Sequence, residues 1–259
     1  MNEVTPKTDG NIMTTLEELK VKIFADGADP ELIGALSLNP LIEGFTTNPT
    51  LMRKAGISDY EAFASDILKI VPDRPVSFEV FADELEDMEE QALEMASWGA
   101  NVNVKIPVTN TRGTFTGPLV RRLSKAGVQV NVTACMGLDQ VRAVVQVLSP
   151  DTPAFVSVFA GRIADSGRDP LPVMAEAVRI LEARPMAQLI WASPRELLNI
   201  FHADAVGCHV ITVTADILEK LPLVGKDLAE FSLETVRMFY RDARSAGYDI
   251  RVKSTVPGG

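Results

Sequence analysis

Histidine and cysteine are nearly missing from this chain, with two of each in 259 residues. Cys135 and Cys208 cannot build the bridge framework that staples small secreted domains, so a reducing cytoplasm is the expected setting. Cys208 stands directly beside His209, which is no zinc-ligand spacing, and no metal site is expected. No apolar run approaches the roughly 18 residues of a membrane-spanning helix, so no membrane partner is expected. Residues 1–14 lack the basic and apolar regions of a secretory signal and read as a short flexible arm. Positive charge is also in deficit, with 25 basic against 35 acidic side chains and a formal charge of −10. A nucleic-acid backbone needs a basic surface, which excludes it as the main partner. A small anionic ligand needs only two or three local cations and stays open. No Pro/Ser-rich linker, short repeat or low-complexity block divides the chain.

What is present describes a globular protein: 46% apolar and 23% charged residues exclude both a disordered chain and a membrane-embedded one. The length fits either two small domains or one α/β barrel, which runs to about 250 residues. Eight short apolar runs recur: Val21–Asp26, Ile42–Thr47, Val76–Phe81, Val102–Ile106, Val128–Thr133, Ala154–Phe159, Gln188–Ser193 and Val210–Val213. Between them, helical spacing covers Asp59–Val71, Asp83–Trp98, Pro118–Ala126, Leu138–Leu148, Pro172–Ala183 and Arg195–Ala205, with a last helix over Leu228–Ala246. Strands alternating with helices predict one parallel α/β architecture over residues 15–259, including a C-terminal helix and tail. Gly99, Gly127 and Gly207 stand where helices should end. The acidic stretch Asp83–Glu94 carries Leu85, Met88, Ala92 and Met95 on one side, as a solvated helix does.

The strands hold the informative pattern. Val76, Phe78 and Val80 alternate with Ser77, Glu79 and Phe81; Val102, Val104 and Ile106 with Asn103 and Lys105; three valines with Gln129, Asn131 and Thr133. In an open, doubly wound sheet these polar residues would lie under apolar helices. In a closed barrel they converge on one interior, and barrel active sites form at the strand C-terminal ends.

Lys105 is either a surface charge or an interior amine. Inside a barrel, lost hydration disfavours the ammonium and makes a nucleophile able to condense with a carbonyl. Glu79 is a proton shuttle or simply the salt-bridge partner of Lys105, which would keep the lysine protonated. Asp26 ends the first run before Gly27. Asp29, before Pro30, suits a helix cap better and leaves Asp26 for chemistry. Asn48 alone is an ordinary Asx turn. Arg162, Ser193 and Arg195 are individually surface residues, and jointly an anion cradle for phosphate or sulfonate.

These motifs, taken in order, resemble the transaldolase family, in its shorter subgroup that includes the fructose-6-phosphate aldolases. The resemblance spans Ile23 to Leu221 and rests on Phe-Ala-Asp26, Thr-Thr-Asn48-Pro, Phe-Glu79-Val, Val-Lys105-Ile-Pro-Val-Thr, Asn131-Val-Thr133, Ser157-Val-Phe-Ala-Gly-Arg162, Ala-Ser193-Pro-Arg195 and Gly207-Cys-His-Val-Ile-Thr. It implies a single (β/α)8 TIM barrel of class I aldolase type and a cofactor-free Schiff-base reaction. Lys105 would form the imine with a ketose, and Asp26 would take the proton from its C4 hydroxyl. Glu79 and Thr133 would hold a relaying water. Asn48, Asn131 and Ser157 would bind dihydroxyacetone hydroxyls, while Arg162, Ser193 and Arg195 clamp the terminal anion. The aldolases carry glutamine where Glu79 stands and a proton-donating tyrosine where Phe159 stands, so the pair here implies transfer between sugar phosphates. The alternatives are a transaldolase for 6-deoxy-6-sulfofructose, an aldolase releasing dihydroxyacetone, and a non-catalytic sugar-phosphate binder. Gly27-Ala28, Trp191 (a large ring expected near the cradle) and the polar loop Thr109–Gly113 depart from the family pattern. A homo-oligomer is implied too, with the C-terminal helix and tail available to a neighbouring subunit.

Overall fold

The computed structural model describes residues 15–250. The expected arm over 1–14 and most of the expected tail lie outside the described residues. The chain divides into two units, one spanning Leu16–Leu221 and the other containing the segment from Pro222 onward.

The first unit is a (β/α)8 barrel. Its elements in order are β1 (Lys22–Asp26), α1 (Pro30–Ser37), β2 (Ile42–Thr46), α2 (Pro49–Lys54), α3 (Tyr60–Ile70), β3 (Val76–Glu79), α4 (Leu85–Ser97), β4 (Val102–Pro107), α5 (Gly117–Lys125), β5 (Val130–Cys135), α6 (Leu138–Val147), β6 (Ala154–Val158), α7 (Ala160–Asp165), α8 (Leu171–Leu181), β7 (Ala187–Trp191), α9 (Leu198–Ala205), β8 (Val210–Thr214) and α10 (Ala215–Leu218). All strands pair in parallel and β8 closes onto β1. The eight apolar runs are the eight strands. The helices α1, α2, α7 and α10 are not among the expected ones; α2, α7 and α10 hold only four to six residues, too few turns to show a period. Two of them start on side-chain caps instead. Asp29 accepts from the backbone N–H groups of Glu31 and Leu32, and Asn48 from that of Leu51. Gly127 and Gly207 end helices in the left-handed conformation (φ 85° and 73°), which a Cβ would strain. Gly99 is not in that conformation.

The outward faces behave as the alternation demands. Val76, Phe78, Val104, Ile106, Val130 and Val132 are fully buried in a core that also takes Met88, Ala92 and Met95 of α4. The interior splits by height. Phe24, Phe155, Ile190, Ala192 and Val210 form a separate apolar cluster inside the barrel, with the Phe24 and Phe155 rings edge to face at 5.7 Å. This is the packed barrel floor. Polar residues stand above it, where neighbouring strands place Glu79 beside Lys105, and Lys105 beside Asn131.

Strand pairing is uneven. β3 and β4 share four register pairs, but β2 and β3 share two, Phe45–Val76 and Thr46–Ser77. β3 therefore runs beyond β2 at its C-terminal end.

The second unit holds α11 (Leu228–Ser245), capped by Asp227, whose side chain accepts from the Glu230 N–H. None of its residues is buried, and Phe231, Val236 and Phe239 are exposed.

Gly44 faces the floor, and a Cβ there would stand 2.6 Å from the Phe24 ring. That ring is held by Phe155, so Gly44→Ala should destabilise the barrel by about 1–3 kcal/mol. Thermal unfolding by circular dichroism reads this. An unchanged midpoint would show that the floor has slack.

Candidate active site

A cavity of about 380 Å³ opens at the C-terminal ends of the strands, large enough for a small sugar derivative. Every expected site residue except Arg195 lines it. Period-two alternation turns Asp26, Glu79, Lys105, Asn131, Thr133 and Ser157 inward from their strands, with Asp26 and Ser157 directly above the floor residues Phe24 and Phe155.

Lys105 lies at the centre, 6% exposed. Its ammonium pairs with the Glu79 carboxylate at 3.0 Å and donates to the Thr47 carbonyl at 2.7 Å. Of the two readings of Glu79, the salt bridge is therefore present in the resting protein. It also supplies a carboxylate within direct proton-transfer distance of the amine.

Asp26 stands on β1 as a second carboxylate in a different setting. Its Oδ1 accepts from the Thr46 hydroxyl at 2.7 Å and its Oδ2 from the Asn48 amide at 3.3 Å. Asn48 thus caps α2 and orients Asp26 at once. Thr46 also shares a hydrogen bond with Thr212 of β8. Burial raises the Asp26 pKa above the ordinary carboxylate value, with Lys105, Thr46 and Asn48 opposing and Glu79 reinforcing the rise. Desolvation dominates.

On the other wall, Asn131 donates to the Ser77 hydroxyl at 3.1 Å and accepts from Ser157 at 2.7 Å. Ser157 gives its proton to Asn131 and so presents an acceptor to the cavity. The Thr133 hydroxyl is buried without a protein partner. It faces the cavity beside Ala134, which holds φ 62°. Ser193, also lining the cavity, holds φ 61°. Left-handed backbone at two non-glycine residues costs on the order of 1–3 kcal/mol each, and strain of this kind gathers at functional sites.

The cradle differs from expectation in one member. Arg162 and Ser193 line the cavity, but Arg195 turns to Asp165 of α7 and makes two hydrogen bonds to its carboxylate, one of them Nε to Oδ1 at 2.9 Å. The pairing with Arg195 holds the Asp165 carboxyl below the usual range. Gly161 makes this close fit possible, because a Cβ there would lie 1.5 Å from the Ser193 carbonyl oxygen.

Trp191 does not approach the cradle. Alternation turns it outward, where it is 1% exposed, 6.5 Å from the His202 ring. The loop after β4 is tied to the loop after β3, with Thr111 and Arg112 bonding Asp83. His209 accepts the Leu189 N–H and serves the strands, not the cavity.

Thr46, Thr47, Ser77 and Thr212 join the site network without being among the expected site residues. Thr46, Ser77 and Thr212 were within reach of the strand period, while the Thr47 carbonyl leaves no trace in residue type.

The family model described as Transaldolase/Fructose-6-phosphate aldolase matches residues 23–250. The chain belongs to the transaldolase/fructose-6-phosphate aldolase family. A relative named "Probable transaldolase" from Dehalococcoides mccartyi is 36% identical over 215 residues, covering 82% of this chain and 96% of its own length. Another of that name from Methanococcus maripaludis is 33% identical, covering 82% and 95%. A third, from a Thermoanaerobacter species, is 32% identical, covering 89% and 100%. Among solved structures, KGPDC from Streptococcus mutans aligns with a TM-score of 0.53 at 11% identity over 77% of this chain and 90% of its own, a likeness of fold alone. Among the described residues, no helix is long and apolar enough to cross a membrane.

Asp26 carries a stability consequence. Its folded-state pKa lies above the ordinary 3.8, so the native state binds more protons than the unfolded state between those values. Stability falls through that window as pH rises, and the deficit persists at neutral pH. Asp26→Asn should therefore be no less stable than the parent at pH 7, with its relative advantage shrinking towards pH 4. Urea melts across this pH range check the sign, and a parent that gains on the variant as pH rises would reverse it.

Proposed function

We propose that this chain is a transaldolase that moves a dihydroxyacetone unit between an anionic ketose, a sugar phosphate, and an aldose phosphate through a Schiff base on Lys105. One observation carries the reading: a buried amine, ion-paired to Glu79, faces a cavity that also holds the buried carboxylate of Asp26 in a different electrostatic setting.

The chemistry follows from these positions. Lys105 passes its extra proton to Glu79 and attacks the C2 carbonyl of the ketose. Loss of water, with protons relayed by Glu79 and a water held at the unpartnered Thr133 hydroxyl, gives the imine. Asp26 takes the C4 hydroxyl proton, the C3–C4 bond breaks, and its electrons pass into the protonated imine to form an enamine. The aldose leaves. The enamine carbon then attacks an acceptor aldehyde whose oxygen takes the proton from Asp26, and hydrolysis frees the new ketose and the amine. Asn48, Asn131 and Ser157 hold the dihydroxyacetone hydroxyls. Arg162 and Ser193 receive the terminal anion, joined by Arg195 once it leaves Asp165.

Phe159 lines the cavity and brings no hydroxyl to it. Without a phenol to protonate the enamine, the intermediate waits for an aldehyde. This supports transfer over simple cleavage. A cytoplasmic homo-oligomer acting without cofactor belongs to the same proposal.

Borohydride added with fructose 6-phosphate should leave a reduced adduct on Lys105, located by peptide mass, and Lys105→Met should carry none. Adduct on the Met variant would remove Lys105 from the role. Donor turnover should also require an acceptor aldehyde. Rapid release of free dihydroxyacetone without one would identify an aldolase instead.

A further inference from the structure

The early end of β2 leaves an opening beside Glu79. The Ser77 carbonyl still accepts from the Thr47 N–H of the β2 side at 3.1 Å, while the Val80 N–H turns to the Lys105 carbonyl of β4 at 3.2 Å. Alternate residues of a parallel strand bond alternate neighbours, so the N–H and carbonyl of Glu79 point to the β2 side, where the pairing has already ended. Both would be unpaired backbone groups in a half-buried place, at a cost of about 1–3 kcal/mol apiece.

One side chain from α3 fills the opening. The Glu79 N–H donates to the Tyr60 hydroxyl at 2.8 Å, and that hydroxyl donates to the Glu79 carbonyl at 3.3 Å. The Tyr60 ring is fixed edge-on by Phe78, Phe81 and Trp98, with centroids at 6.1, 4.6 and 5.9 Å. Burial pushes its phenol well above the usual tyrosine range, against hydrogen bonds from the Glu79 backbone and Thr47. It therefore keeps its proton at any working pH and can accept and donate together.

We propose that Tyr60 is a positioning residue for the chemistry at Lys105: its hydroxyl takes the place of β2 in the ladder and fixes the backbone of Glu79, so that the Glu79 carboxylate stays on the Lys105 nitrogen. The inference rests on the proposed imine at Lys105. Tyr60 does not line the cavity, so it acts through Glu79 and not on substrate. With the hydroxyl gone, the end of β3 loosens. The carboxylate then loses its aim during the proton transfers that form and hydrolyse the imine, while the hydroxyl- and anion-binding walls stay in place.

The test is Tyr60→Phe, which keeps every ring contact, compared with the parent by borohydride trapping with fructose 6-phosphate and by steady-state turnover. The expected result is a trapping rate and kcat about ten- to a hundredfold lower, the scale of a small misplacement of a catalytic group, with KM for the donor changed by less than about twofold. In a Glu79→Gln background the same substitution should slow trapping no further. Equal slowing in both backgrounds, or trapping at the parent rate, overturns the proposal. No adduct on the parent itself sinks the Schiff-base reading first, and this inference with it. Should Tyr60→Phe fail to fold, 3-fluorotyrosine at position 60 keeps the shape and weakens the hydroxyl as an acceptor. It should slow trapping measurably, and parent-like trapping would again overturn the idea.

Discussion

A charged pair inside the barrel sets the terms for everything around it. Moving an ammonium and a carboxylate out of water costs several kcal/mol per ion, and attraction offsets this only with good geometry and further hydrogen bonds. Lys105 and Glu79 meet both conditions. They stand in register on adjacent strands at 3.0 Å, and the Thr47 carbonyl takes another ammonium proton. The rest of the site protects this arrangement: an apolar floor below, strand ends on two sides and the Tyr60 phenol behind.

The second carboxylate shows how one cavity holds two roles. Glu79 has a cation at contact distance. Asp26 has hydroxyl and amide donors, and burial dominates its environment. Two acids kept in different electrostatic settings can carry different proton transfers within one catalytic cycle. Asp26 serves the substrate hydroxyl and Glu79 the lysine nitrogen, in the mechanism proposed above. The strained backbone at Ala134 and Ser193 turns the ends of β5 and β7 so that the cavity walls are shaped by main chain as well as side chains.

The two arginines expected at the cavity mouth are placed differently by their charge partners. Arg195 is satisfied by Asp165, while Arg162 is left at the cavity wall, with its guanidinium 5.9 Å from the Phe159 ring centroid. The net charge of −10 says nothing about this place. With Arg195 held by Asp165, Arg162 is the arginine that lines the cavity.

Much of this was written in residue order. The period-two alternation of Ser77/Glu79, Asn103/Lys105 and Asn131/Thr133 against apolar neighbours selects a closed barrel, because no open sheet can hide those residues between helices. The same phase picks out most of the cavity wall, and the motifs bring the family into view. Other features belong to tertiary structure alone. Asn103 shares the phase of Lys105 yet lies near the opposite end of the strand, where it donates to the Asn101 carbonyl. Alternation fixes a face, and height along the barrel fixes the role. Trp191 faces outward by the strand period alone, whereas the direction of Arg195 is set by Asp165, 30 positions away on another loop, which adjacency in sequence does not record. Tyr60 reads as one more apolar position on a helix. Its hydroxyl acquires a purpose only when β2 ends early and leaves the Glu79 backbone open. Side-chain type and period are local properties that a strand or helix records directly. The lengths to which neighbouring strands pair, and the partners that fill what they leave, come only from closing the barrel.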